Sequence, residues 1–209
     1  MRDSWYGDNR DLVKWSALLH LAREQGIQRL VQVAYLQDST PPLLEVGDVT
    51  TPVPSAAWRH FRNLHQIQGL ARLSGLDISV VDWPFSHAGR ADYAEELGKH
   101  LVELGGPKLV LLDPDTGIAP KTHDARHVTR GEVEAAWQAL GRRDWLLLYQ
   151  HARRAKGWVE DTHAEFSSCC RTEAIIFRSR SAASDVVLFA AQKSSETSRA
   201  SRRLASTPR

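Results

Sequence analysis

Three features of the sequence predict an α/β chain: a mainly parallel sheet flanked by helices, with an antiparallel hairpin added at its C-terminal end. Segments with helical spacing alternate with short apolar runs between residues 8 and 169, as they do when strands are joined by crossover helices. The runs at 109–112 and 145–149 are apolar or aromatic throughout, the pattern of strands covered on both faces. Residues 173–180 and 185–192 read as two further strands joined only by Ser181-Ala182-Ala183-Ser184, a link short enough to make them an antiparallel hairpin.

The chain has 209 residues, 42% hydrophobic and 25% charged, which suits one domain over residues 1–192 followed by a basic Ser/Arg-rich tail, 193–209. That tail carries one acidic residue, Glu196, and reads as flexible, either a solvated terminus or a basic arm for nucleic acid. No apolar run approaches the ~18 residues of a membrane span. Arg2, Asp3, Asp8, Asn9, Arg10 and Asp11 precede any apolar run, which argues against a secretory signal and for a cytoplasmic protein. Cys169 and Cys170 are adjacent and cannot staple distant segments, so they are expected as reduced, partly buried thiols. A net charge of +2 does not by itself announce a nucleic-acid partner, and the sequence leaves the oligomeric state open.

The elements follow in order. Residues 8–25 have Leu12, Trp15, Leu18, Leu19 and Ala22 at helical spacing, an acidic start and Gly26 as a stop; Lys14 falls off the centre of that stripe. Residues 27–36 are a strand, and Gln37-Asp38-Ser39-Thr40-Pro41-Pro42 stands where a dinucleotide fold would carry a glycine-rich turn. Residues 41–54, with four prolines, predict a long irregular loop. Helical spacing resumes over 55–73, with Arg59, Arg62 and Arg72 on other faces as a candidate phosphate-binding surface. A strand over 76–83 ends at Asp82, where a carboxylate can accept hydrogen bonds from ribose hydroxyls. A helix over 91–104 buries Tyr93, Leu97, Leu101 and Leu104. Thr129-Arg130-Gly131-Glu132 fits a capping box and opens a helix over 130–140. A short helix over 157–169 precedes the closing hairpin.

The chemistry concentrates where two apolar strands stop. The run at 109–112 breaks at Asp113-Pro114-Asp115-Thr116-Gly117, and the run at 145–149 ends in Gln150-His151-Ala152-Arg153-Arg154. Loops after the carboxyl ends of strands form the binding crevice of open α/β sheets, so Asp113, Asp115 and His151 are expected on one rim. A plain turn, in which either aspartate accepts backbone N–H bonds, would use the same residue types.

The succession of elements resembles the class I S-adenosylmethionine-dependent methyltransferases, a Rossmann-like topology. Gly7-Asp8-Asn9-Arg10-Asp11-Leu12-Val13-Lys14-Trp15 is similar to the G-N-F-A-D-V-x-K-H segment that opens the bacterial 23S ribosomal RNA adenine-N6 methyltransferases. Residues 109–116 are similar to the hydrophobic-D-P-P-Y motif of amino methyltransferases, with Asp115 and Thr116 in place of the second proline and the aromatic. A group of uncharacterised bacterial and phage proteins with G-D-x-x-D-x-x-K, D-P-D-N-G and Y-Q-H-x-x-R segments is closer still; the counterparts here begin at Gly7, Asp113 and Tyr149. The resemblance implies S-adenosylmethionine as cofactor, bound by Asp8, Asp11, Lys14 and Asp82. It implies Asp113, Asp115 and His151 as catalytic residues, and Arg153 and Arg154 as contacts to a nucleic-acid substrate whose base amino group is methylated.

Two other chemistries use the same residues. Asp8, Asp11, Asp113, Asp115 and His151 are donors that suit Mg²⁺ or Mn²⁺ in a phosphodiester hydrolase, although no metal motif fits their spacing. A non-catalytic nucleic-acid-binding or regulatory protein on a methyltransferase frame would take up neither cofactor nor metal.

Overall fold

The structure is a computed structural model, and it describes residues 8–37, 43–56 and 64–194. Helix α1 (Asn9–Gln25) starts at Asp8, whose carboxylate accepts the Arg10 and Asp11 amides, and stops at Gly26 in the left-handed region. Strand β1 (Arg29–Val33) follows, then the hairpin β2 (Leu43–Val46) and β3 (Val49–Pro52), and a 3-10 turn (Leu64–Ile67) that runs into α2 (Gln68–Ser74). The chain continues through β4 (Asp77–Val81), α3 (Arg90–Glu103) and β5 (Lys108–Leu112). Two short strands, β6 (Gly117–Ile118) and β7 (His127–Val128), pair in the loop before α4 (Arg130–Ala139). Strand β8 (Trp145–His151), α5 (Trp158–Cys170), β9 (Ile175–Phe177) and β10 (Val186–Gln192) complete the fold.

The main sheet has the order β4-β1-β5-β8-β10-β9. Its first four strands are parallel, and β10 runs antiparallel to both β8 and β9. This is the expected mainly parallel, Rossmann-like sheet with its antiparallel C-terminal hairpin. From β1 the chain moves outward to β4, then crosses back to β5 on the other side of β1, so the carboxyl ends of β1 and β5 splay open at a topological switch point. Alternating side chains serve two faces. Leu109, Leu111 and Leu147 pack with Trp15, Leu18 and Leu21 of α1 and with Ile67. Val110, Leu112, Leu146 and Leu148 pack with Leu97, Trp137 and Phe166 of α3, α4 and α5.

Several expectations shift. The buried stripe of α1 is Asp11, Lys14, Trp15, Ala17, Leu18, Leu21 and Ala22, rotated from the predicted one, and Leu12 is exposed. The helix turns Lys14 inward because buried carboxylates meet its ammonium there, an energy that apolar spacing does not register. The predicted irregular loop contains the hairpin β2–β3, which turns at Gly47 with φ +61 and takes Pro52 as the last residue of β3, opposite Leu43. Of the helix expected over 55–73, the described parts are a helical start at 55–56, the 3-10 turn and α2; Arg59 and Arg62 lie outside the described residues. Trp83 packs on Tyr93 and His100 of α3. Lys193, placed at the start of the tail, is held within the fold: its ammonium donates to the Trp137 carbonyl and its own carbonyl accepts the Arg143 amide. Most of the expected tail, 195–209, lies outside the described residues. Cys169 and Cys170 are fully buried thiols, and burial raises Cys169 to about 11 and Cys170 further, which leaves both inert.

Candidate functional site

The α1 N-terminus and the carboxyl ends of β5 and β8 enclose a cavity of about 410 Å³, within the range of small-ligand sites. At its floor Asp113 leaves the end of β5. Its Oδ2 accepts from Lys14 Nζ at 2.8 Å and from Gln32 Nε2 at 2.5 Å, and Lys14 Nζ also lies 2.5 Å from Asp11 Oδ1. Burial opposes the charge on Lys14, but the fields of Asp113 and then Asp11 outweigh it, so the ammonium is held above its ordinary pKa. Lys14 further rests 5.2 Å from the centroid of the Tyr149 ring, a cation–π distance.

The loop after Asp113 is locked to β8 by the residues that make both segments distinctive. Gly117 has φ +112, and a Cβ there would fall 2.2 Å from Gln150 Oε1. Only glycine therefore lets Gln150 approach, accept the Ile118 amide at 2.9 Å and donate to the Thr116 carbonyl at 3.0 Å. The His151 amide also donates to the Thr116 carbonyl. Thr116 in turn bonds Arg126 across the β6–β7 loop, which brings Arg126 to the cavity wall.

One wall is aromatic and titratable. Tyr149 Oη and His151 Nε2 are 3.0 Å apart with perpendicular rings. His151 Nδ1 lies 4.0 Å from Asp185, whose Oδ2 receives Nε and Nη2 of Arg10 at 3.0 and 2.7 Å. Burial, reinforced by the positive field of Arg10, pushes the His151 pKa below its ordinary value, while Asp185, Asp113 and Asp115 pull the other way. Burial, and next the Asp113 charge, push the Tyr149 phenol well above the usual range. Asp115 accepts from Gln37 Nε2 at 3.3 Å on the opposite lip, and Asp8 lines the mouth beside Arg10.

Asp8, Asp11, Lys14, Asp113, Asp115 and His151 thus come together around one cavity. Asp82 does not line it: it follows β4, two strands away from β5. Arg153 Nη2 donates to the Ile118 carbonyl at 2.6 Å, which makes it a brace of the D-P-D-T-G loop, and Arg154 is exposed outside the cavity. Sequence reasoning missed Gln32, Tyr149, Arg10, Arg126 and Asp185 as parts of the site. Gln32 carried a readable signal, a polar residue inside a buried strand; Asp185 carried none, because it read as an ordinary strand start. Asp11 and Asp113, which a metal site would need, clasp the Lys14 ammonium instead. Among the described residues no group of three or more His, Cys, Asp or Glu is arranged to hold a metal ion. No helix among them is long and apolar enough to cross a membrane.

No protein-family model and no curated protein matches the sequence. Among solved structures, the chain is similar to the N-methyltransferase NodS from Bradyrhizobium japonicum, with 9% identity and a TM-score of 0.36 over 88% of this chain and 97% of that one. A likeness at that level leaves the functional reading to the site itself.

Proposed function

We propose that this chain is an S-adenosylmethionine-dependent methyltransferase acting on the amino group of a nucleic-acid base. The observation that carries the reading is the buried Lys14–Asp113 ion pair. It joins the G-D-x-x-D-x-x-K and D-P-D-T-G segments across 99 residues of chain, at the floor of a cavity on the carboxyl rim of the sheet. Those are the two segments on which the resemblance to amino methyltransferases rests.

The cavity suits such a cofactor in charge. Carboxylates of Asp8 and Asp115 and guanidinium groups of Arg10 and Arg126 line it, matching a ligand that carries ammonium, sulfonium and carboxylate groups. Asp82 lies away from this cavity and takes no part in it, and exposed Arg154 is the candidate contact for a substrate phosphate. When bound, the cofactor would supply an electrophilic methyl group. Asp113, fixed by Lys14 and Gln32, would keep a constant negative charge beneath the acceptor amine, and the Asp113-Pro114 segment would set its position.

Calorimetry with S-adenosylmethionine, followed by transfer of labelled methyl groups to unmethylated RNA and DNA, tests this reading. Micromolar binding without added metal is expected, with label recovered in a base. Asp113→Asn should keep binding and cut transfer by at least about 100-fold, the usual scale for losing one preorganised electrostatic contact. No heat and no label with the folded wild type would remove the proposal, and binding without transfer to any base would favour a non-catalytic role.

A further inference from the structure

We propose that the proton released when the substrate amine is methylated leaves through the Tyr149 hydroxyl to His151, with Asp185 as the positioning residue; this rests on the methyl-transfer reading. The usual candidate acceptor, Asp113, is committed elsewhere. It is 1% exposed and one of its oxygens already takes both Lys14 and Gln32. A proton on Asp113 would also strip Lys14 of its nearest countercharge after Asp11. Tyr149 and His151, 3.0 Å apart, form a hydrogen-bonded titratable pair on the cavity wall.

Their surroundings suit a relay. The phenol stays protonated at neutral pH, because burial and the Asp113 charge oppose tyrosinate, so it passes a proton on rather than storing one. Neutral His151 with its proton on Nδ1 presents a lone pair at Nε2 to the phenol and an N–H toward Asp185. The charges facing that imidazole are Arg10 from α1, Asp185 from the link before β10, and Asp113 and Asp115 from the loop after β5. Burial and Arg10 outweigh the three carboxylates, so the imidazole rests neutral with Nε2 free to accept, while the carboxylates limit the cost of a transient imidazolium.

The electrons balance. The amine lone pair forms the N–CH3 bond while the S–CH3 bonding pair returns to sulfur. One N–H proton then passes to Tyr149 Oη as the phenolic proton passes to His151 Nε2, and the N–H pair stays on nitrogen as its restored lone pair. The imidazolium afterwards gives its proton to water.

The test is the pH profile of kcat at saturating cofactor for the full-length wild type, His151→Gln, Tyr149→Phe and Asp185→Asn, with cofactor affinity measured on each. The wild type should lose activity on the acid side with an apparent pKa below about 6.5, the ordinary histidine value. His151→Gln should lower kcat about 100-fold, abolish that acid limb and leave cofactor affinity within about 2-fold. Tyr149→Phe should lower kcat while cofactor binding persists. Asp185→Asn should move the acid limb to lower pH, because it removes a charge that favours the imidazolium; a merely structural Asp185 would leave the limb in place. Full activity, or an unchanged acid limb, in His151→Gln would overturn this inference while the methyl-transfer reading stands. A wild type that neither binds the cofactor nor transfers methyl would overturn both.

Discussion

Lys14 shows at the residue scale how burial and charge combine. A lysine with a 3% exposed side chain is stable only because two carboxylates meet its ammonium, at 2.5 and 2.8 Å. Lys14→Met keeps the length of the side chain and removes the charge that two buried carboxylates meet. The expected loss is about 3–5 kcal/mol, the range for breaking a buried ion pair from one side. Urea titration measures it, and a loss under about 1 kcal/mol would mean that the carboxylates find other partners. At this scale the sequence was legible where residue type alone limits the options. Gly117 and Gln150 belong to recognisable segments, yet only the structure shows that the glycine exists to admit the glutamine. Asp185 acquires meaning only from Arg10, which is 175 residues away in the chain.

Local signals were most legible in helix α4. Thr129 accepts the Glu132 amide while Glu132 reaches back to the Thr129 amide, the capping box that the T-R-G-E tetrapeptide announces. Glu132 additionally receives Arg90 Nη1 at 2.7 Å, tying the start of α4 to the start of α3 and to the loop that ends at His127. Thr129→Ala should therefore cost about 1 kcal/mol, the typical value of an N-cap, and no more, because the Arg90–Glu132 link remains. A thermal or urea measurement that gave a loss above about 2 kcal/mol would show that the hydroxyl holds the whole corner. Elements governed by tertiary partners were less legible. Helix α1 is rotated from its apolar stripe by the Lys14 contacts, and β2–β3 hid within a proline-rich stretch because its strands expose Leu43, Leu44 and Val49 and so carry no core-facing alternation.

Across the whole molecule the fold class was legible because parallel strands buried on both faces must be apolar throughout. Strands β5 and β8 satisfy that rule with Leu109, Val110, Leu112, Leu146, Leu147 and Leu148 all at 0% exposure. The placement of β10 between β8 and β9 was not legible, since a hairpin seen only in sequence can join the sheet by either strand. The same layering fixes where the molecule opens. Strand β8 is hydrogen-bonded to β5 on one side and to β10 on the other, with helices over both faces, so its amides are released only when the sheet comes apart. Hairpin β2–β3 forms a separate two-stranded sheet with large apolar side chains in solvent. Native-state hydrogen exchange should find the slowest amides in β5, β8 and β10, opening with the free energy of global unfolding, and much faster exchange in β2–β3. Because Asp113 and His151 lie at the ends of β5 and β8, such a pattern would place the proposed chemistry on the most rigid strands and leave motion to the hairpin that follows β1. Protection of the hairpin equal to that of β8 would mean instead that it is anchored to the rest of the molecule and opens only with the sheet.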